Sequence, residues 1–261
     1  MKAASKNLSS FLAIKGPCCE PTYRVFSSWD LTLTQRENLL QIQESNSIGA
    51  RSNGWLQQLI RVIKQRYNTE GPDRTLVELV QNAWSIDEWR PAQLWHISRS
   101  DQLLNQFFVD CLFNFREQGL SIINSDIVVE YLHGIVKKSL GNAEAWTATT
   151  YRRTATALLK SSVDFQLMKG RVKREFDHYR LPDRSFIYLL YQLMSKHKNT
   201  KKMIEAPDWR LFLMKPMEVE EELLRLHQYG KLHFERAGSF LELTLPHPTV
   251  NDFILNRDSA R

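Results

Sequence analysis

Residues 146–176 read WTATTYRRTATALLKSSVDFQLMKGRVKREF, and this stretch decides the expected architecture. In its first part Tyr151, Ala155, Leu158 and Leu159 recur at helical spacing, while Thr149, Arg152, Arg153, Thr156 and Lys160 fall mostly on the opposite face. Phe165 to Lys169, a Gly170-Arg171 turn, and Val172 to Phe176 then have the spacing of a β-hairpin. A helix carrying Thr and Arg, followed by a basic hairpin, is the layout of a winged helix-turn-helix. Upstream, Ser125 is the expected cap of a preceding helix containing Ile127, Val128, Tyr131, Leu132 and Ile135, which ends at a Gly141-Asn142 break.

Charge concentrates on this unit. Residues 137–184 contain eleven Lys and Arg against five Asp and Glu, a surplus of six that equals the formal net charge of all 261 residues. Local positive charge on an exposed helix and its wing is what phosphate binding requires. Arg152, Arg153 and Lys160 suit phosphates or the guanine edge, and Thr147, Thr149 and Thr156 suit backbone oxygens. Lys169, Arg171 and Lys173 would place the wing tip near an adjacent groove. The competing reading is a solvated charged face with no ligand.

Outward from this unit the chain reads as mainly α. Residues 1–29, broken by Gly16, Pro17 and Pro21, are expected to be irregular. Thr34 and Glu37 form a capping box for a helix to about Ser45, and a second helix runs from near Ser52 to Tyr67. This pair is either a helix-turn-helix, with Arg61 and Lys64 on its outer face, or an ordinary helical hairpin. Helices follow over 75–84, over 90–99 with Pro91 in the first turn, and over 101–118 with Gly119 as cap. Trp84, Trp89 and Trp95 are expected in the core. After a helix from Asp183 to His197 comes a loop with Lys196, Lys198, Lys201 and Lys202. A helix over 217–229 with an acidic start precedes a second hairpin, so helix-then-wing occurs twice. The expected organisation is a helical segment over 1–120, a winged helix over 121–182, and C-terminal helices with a second wing over 183–261.

Catalytic and metal signatures are missing. There is no GxxxxGK[ST], HExxH, CxxC or GxSxG, and no Glu-x-Lys pair of a restriction-type nuclease core. The seven His lie at no ligand spacing, and three Cys make no disulfide framework, which suits a reducing compartment. No cofactor, metal or small-molecule substrate is expected. The longest apolar stretch without charge, Ser185 to Ser195, is eleven residues, whereas a bilayer span needs about 20. A cytoplasmic protein without a membrane partner is the expectation.

An ordered set of residues carries a family resemblance. Tyr23 and Trp29, Glu37-Asn38, Asn46 to Gly49 with Ser52, Arg66-Tyr67, Asp87 to Trp89, Leu94-Trp95 with Ser98 to Asp101, and the Thr/Arg helix from Trp146 to Leu159 together resemble the BrxA family, a small component of BREX (bacteriophage exclusion) systems. The resemblance implies a non-catalytic member of an antiviral operon, acting beside a DNA methyltransferase and large ATPases and binding double-stranded DNA. A likeness to the RNA-binding NusB fold leaves structured-RNA binding as one rival, and a protein–protein adaptor that touches no nucleic acid is the other.

Overall fold

A computed structural model describes residues 8, 10–140, 146–197, 199–238 and 240–256. The expected Gly141-Asn142 break, Glu144 and Lys198 lie outside the described residues. The fold is mainly α with two small antiparallel sheets.

The N-terminal block begins with α1 (Ser10–Lys15) and α2 (Cys19–Ser27), so the expectation of irregular chain fails over most of 10–27. Gly16 and Pro17 only separate two short helices, and Pro21 sits in the first turn of α2, where a missing N–H costs nothing. Buried Arg66 fixes α1 by donating to the carbonyls of Leu12 (3.0 Å) and Gly16 (2.8 Å). Then come α3 (Gln35–Ser45), closed at its start by the expected Thr34–Glu37 capping box, and α4 (Asn53–Arg66), capped by Ser52. Asn46 bridges their connection by pairing both amide groups with the backbone of Ala50.

Next are α5 (Arg74–Gln81) and α6 (Ile86–Ser100). Pro91 lies inside α6, not in its first turn, because a Ser85–Glu88 capping box starts the helix earlier. Trp84, Trp89 and Trp95 are buried as expected. The helix expected over 101–118 is present but divided: α7 (Gln102–Gln106), a π-helical turn over Phe107–Leu112, and α8 (Phe113–Glu117). Such a turn disturbs the regular backbone pairing, and the Tyr131 hydroxyl donates to the Gln106 carbonyl just before it (3.0 Å).

The segment expected to be a winged helix follows as β1 (Ile122–Ile123), α9 (Ser125–Leu140), α10 (Ala148–Asp164), β2 (Met168–Lys169) and β3 (Arg174–Phe176). Strand β1 has no counterpart among the elements expected from sequence. It pairs antiparallel with β3, giving the sheet order β1-β3-β2, with Ile123 opposite Arg174 and Lys169 opposite Glu175. Asn124, not Ser125, caps α9, accepting from the N–H groups of Asp126 and Ile127 (both 3.1 Å).

Beyond it lie α11 (Asp183–Met194), α12 (Thr200–Ile204), a 3₁₀ turn over Pro207–Phe212, α13 (Pro216–Gln228), β4 (His233–Ala237), β5 (Phe240–Thr244) and α14 (Val250–Leu255). The supposed lysine loop is therefore partly helical, and Lys201 pairs with Glu205 at the end of α12. The second hairpin forms as expected, with Phe234 opposite Leu243. Buried apolar side chains from Leu8 to Ile254 make one connected core. Residue 120 falls between α8 and β1, and residue 182 directly before α11. No described helix is long and apolar enough to cross a membrane.

Candidate nucleic-acid interface

Helix α10 is built to keep one face inward and one out. The Thr147 hydroxyl caps it, accepting from the Thr150 N–H (3.2 Å). Tyr151, Thr154, Ala155, Leu158 and Leu159 are buried, together with Ser161 and Ser162. Their face packs on α9 and α1, where buried small side chains such as Ser161, Ser162 and Ala13 suit a close approach. The Cys19 thiol contacts the Asp164 carbonyl and marks where α2 meets the end of α10. Left outside are Thr149, Arg152, Arg153, Thr156 and Lys160, a strip along a helix about 25 Å long. Thr147 is also exposed, but its oxygen is occupied by the cap.

The eleven cations of residues 137–184 divide three ways. Lys137, Lys138, Arg153, Arg171 and Lys173 are exposed and form no ion pair among the described residues. Arg152, Lys160, Lys169 and Arg180 are exposed but sit near carboxylates: Asp126 at 3.7 Å, Asp164 at 3.0 Å, Asp177 at 3.6 Å, and Asp183 and Glu222 at 3.9 Å. Arg152 and Asp126 are both about three-quarters exposed, so their contact contributes under about 1 kcal/mol and yields readily to a phosphate. Arg174 and Arg184 turn inward, which departs from a fully solvated cluster. Arg174 is buried, and desolvation pulls its pKa down. Arg184 lies over the Trp84 ring and within 3.6 Å of Glu88.

The wing tip is Gly170-Arg171-Val172-Lys173. Gly170 has φ +100°, and a Cβ there would lie 2.3 Å from the Lys173 carbonyl oxygen, so only glycine fits this turn.

Arg61 and Lys64 of α4 reach this surface unequally. The Arg61 guanidinium lies 5.1 Å from the Phe11 ring centre, and the Lys15 ammonium 5.6 Å from it. Since α1 packs on both α10 and α4, Arg61 adjoins the element that supports α10. The Cys18 thiol reports the same proximity: burial raises its pKa, while the charges of Arg66, Lys160 and Lys15 oppose the rise. Lys15 escapes a reading of the sequence because its short helix does. Lys64 instead lines a groove between α3 and α4 with Leu39, Leu40 and Ile60.

A second polar constellation lies apart from this face. His96 Nδ1 is 2.6 Å from Asp73, His96 Nε2 is 2.7 Å from the Tyr188 hydroxyl, and that hydroxyl is 3.0 Å from Thr75. Burial lowers the His96 pKa, with Asp73 opposing, so the neutral ring donates to Asp73 and accepts from Tyr188. Each of these contacts is internal, and the network serves to tie α5 and α6 to α11. Spacings of 23 and 92 residues gave no local signal of it. Among the described residues, no group of three or more His, Cys, Asp or Glu is placed to hold a metal ion.

A model of the BrxA family matches residues 16–192, about two-thirds of the chain. The chain belongs to the BrxA family. The match covers all of α2–α10, the first wing and most of α11, so it takes in the whole basic unit. Membership in the BrxA family points to a component of a BREX phage-defence system. A search of curated proteins gives no match.

Proposed function

We propose that this BrxA-family protein is a non-catalytic component of bacteriophage exclusion that binds double-stranded DNA. The observation carrying this reading is the coincidence of topology and charge. The β1-α9-α10-β2-β3 unit has the element order and sheet order of a winged helix. Its exposed α10 strip and wing tip hold Arg152, Arg153, Lys160, Lys169, Arg171 and Lys173. Arg152, Arg153 and Lys160 engage phosphates or guanine edges where α10 enters the major groove, with Thr149 and Thr156 bonding backbone oxygens. The wing reaches the neighbouring groove. Arg61 and Lys15 extend the positive surface over α1, and Lys64 contributes least.

Binding of a fluorescein-labelled duplex, read by anisotropy at low salt, tests the reading. Saturable binding supports it. Preference for a structured RNA of equal length at equal salt would favour the NusB-like alternative.

A protein–protein adaptor is the second reading, and one observation favours it. Met217, Leu224, Tyr229, Phe240 and Leu255, five of the exposed large apolar side chains, all belong to the C-terminal segment from α13 onward. Partners of the defence system retained after nuclease treatment would support this role, alongside or instead of DNA contact.

A further inference from the structure

The first wing is shaped to enter a minor groove, and we infer that it confers a preference for A·T-rich sequence flanking the α10 contact. This rests on the DNA-binding reading above. Four residues, 170–173, connect Lys169 to Arg174. The Gly170 turn, closed against the Lys173 carbonyl, lifts the next three side chains clear of the fold. At the apex Val172 is 80% exposed, more than any other exposed large apolar side chain among the described residues. A single exposed valine means little by itself. Here it stands between Arg171 and Lys173, two exposed cations with no ion pair among the described residues.

The base of the wing is rigid by comparison. Met168 and Arg174 are buried, and β1 pairs with β3 to hold the hairpin in a three-stranded sheet. A rigid ribbon with a narrow, cationic, apolar-tipped end matches a groove about 6 Å wide, which admits single side chains and excludes a helix. A·T tracts narrow that groove and deepen its negative potential, which attracts an inserted guanidinium. Arg171 supplies that charge. Val172 packs on the sugar walls, and it is too short to separate stacked bases.

The experiment uses the full chain and two fluorescein-labelled duplexes with a common randomised centre, one flanked by A·T tracts and one by G·C. Anisotropy should show roughly fivefold tighter binding to the A·T-flanked duplex. Netropsin, which fills A·T minor grooves, should lower affinity for that duplex to about the G·C level and leave the G·C complex unchanged. Arg171→Ala and Val172→Ser, at positions too exposed to unfold the chain, should each weaken binding to the A·T-flanked duplex more than to the G·C-flanked one and so reduce the preference. Equal affinity for the two duplexes, or a preference that survives both substitutions, overturns the inference alone. Failure of the parent to bind either duplex overturns the DNA-binding reading and takes this inference with it.

Discussion

The chain places a helix before a β-hairpin twice, and the two units present opposite surfaces. Helix α10 with β2 and β3 exposes Arg152, Arg153 and Lys160 on the helix, and Arg171, Val172 and Lys173 at the wing tip. Helix α13 with β4 and β5 exposes Met217, Glu221, Leu224 and Gln228 on the helix, and Phe240 at the end of the hairpin. Residues 216–244 hold six Glu against three Lys and Arg. Four of those carboxylates have a basic side chain beside them: Glu218 has Arg116, Glu220 has Arg236, Glu222 has Arg225, and Glu235 has His233 at 3.4 Å. Glu235 and Glu242 stand directly opposite across the hairpin, an arrangement that repels and that a phosphate backbone would aggravate. An architecture therefore does not carry a function; side chains on its outer face do. The proposed DNA contact belongs to the cationic first unit and not to the acidic second one.

Charge reversal tests the contrast most strongly. Arg152→Glu combined with Arg153→Glu should weaken duplex binding by roughly a hundredfold or more at about 100 mM salt, through lost phosphate contacts and new repulsion. Glu221→Lys on α13 should change affinity less than about threefold. Equal effects in the same anisotropy titration would break the distinction between the units.

The wings can be compared through their glycines. Gly170→Ala introduces a clash with the Lys173 carbonyl as well as an unfavourable φ, and should cost about 2 kcal/mol or more in urea denaturation. Gly238 has φ +63° with open space around it, so Gly238→Ala should cost only about 1 kcal/mol. Similar costs would show that the first wing lacks its tight turn.

An ion cluster ties the start of α11 to the second unit. Asp183, at the start of α11, accepts from Lys231 (2.9 Å) and from Arg225. Burial raises the Asp183 pKa, but the hydrogen bonds from Lys231 and Arg225 outweigh it and the net shift is downward. Its contribution to stability is complete above the ordinary carboxylate pKa of about 3.9 and is lost as pH falls through the lowered value. Asp183→Asn should therefore cost about 1–2 kcal/mol near neutral pH, and the two proteins should converge in strong acid. A difference independent of pH would show that the carboxylate charge plays no part in holding α11 to the second unit. Smallest of all, Lys64→Ala should change duplex affinity less than about twofold, since Lys64 faces the α3–α4 groove.

What could be read from sequence follows physical lines. The long helices α3, α4, α10 and α13 and both hairpins were legible, because apolar periodicity, capping residues and turn glycines agree there. Helix α1 was not: six residues carry too little periodicity, and Gly16 and Pro17 suggested a break. Strand β1 is two residues long and has no alternation to detect. A Pro at position 91 pointed to a helix start, although the Ser85–Glu88 box had already set one. Within the candidate site the exposed cations of α10 and the wing were legible from their helical and turn positions. The burial of Arg174, the inward turn of Arg184 and the approach of Lys15 depend on tertiary packing, which local sequence does not encode.

The most direct measurement is the salt dependence of duplex affinity for the parent and for Arg152→Glu/Arg153→Glu, from about 50 to about 300 mM. With about six phosphates neutralised, log affinity of the parent should fall against log salt with a slope of about −5, and the double reversal should make it shallower by about 2. A flat dependence, or a slope that the reversal leaves unchanged, would contradict the assignment of α10 and its wing to DNA.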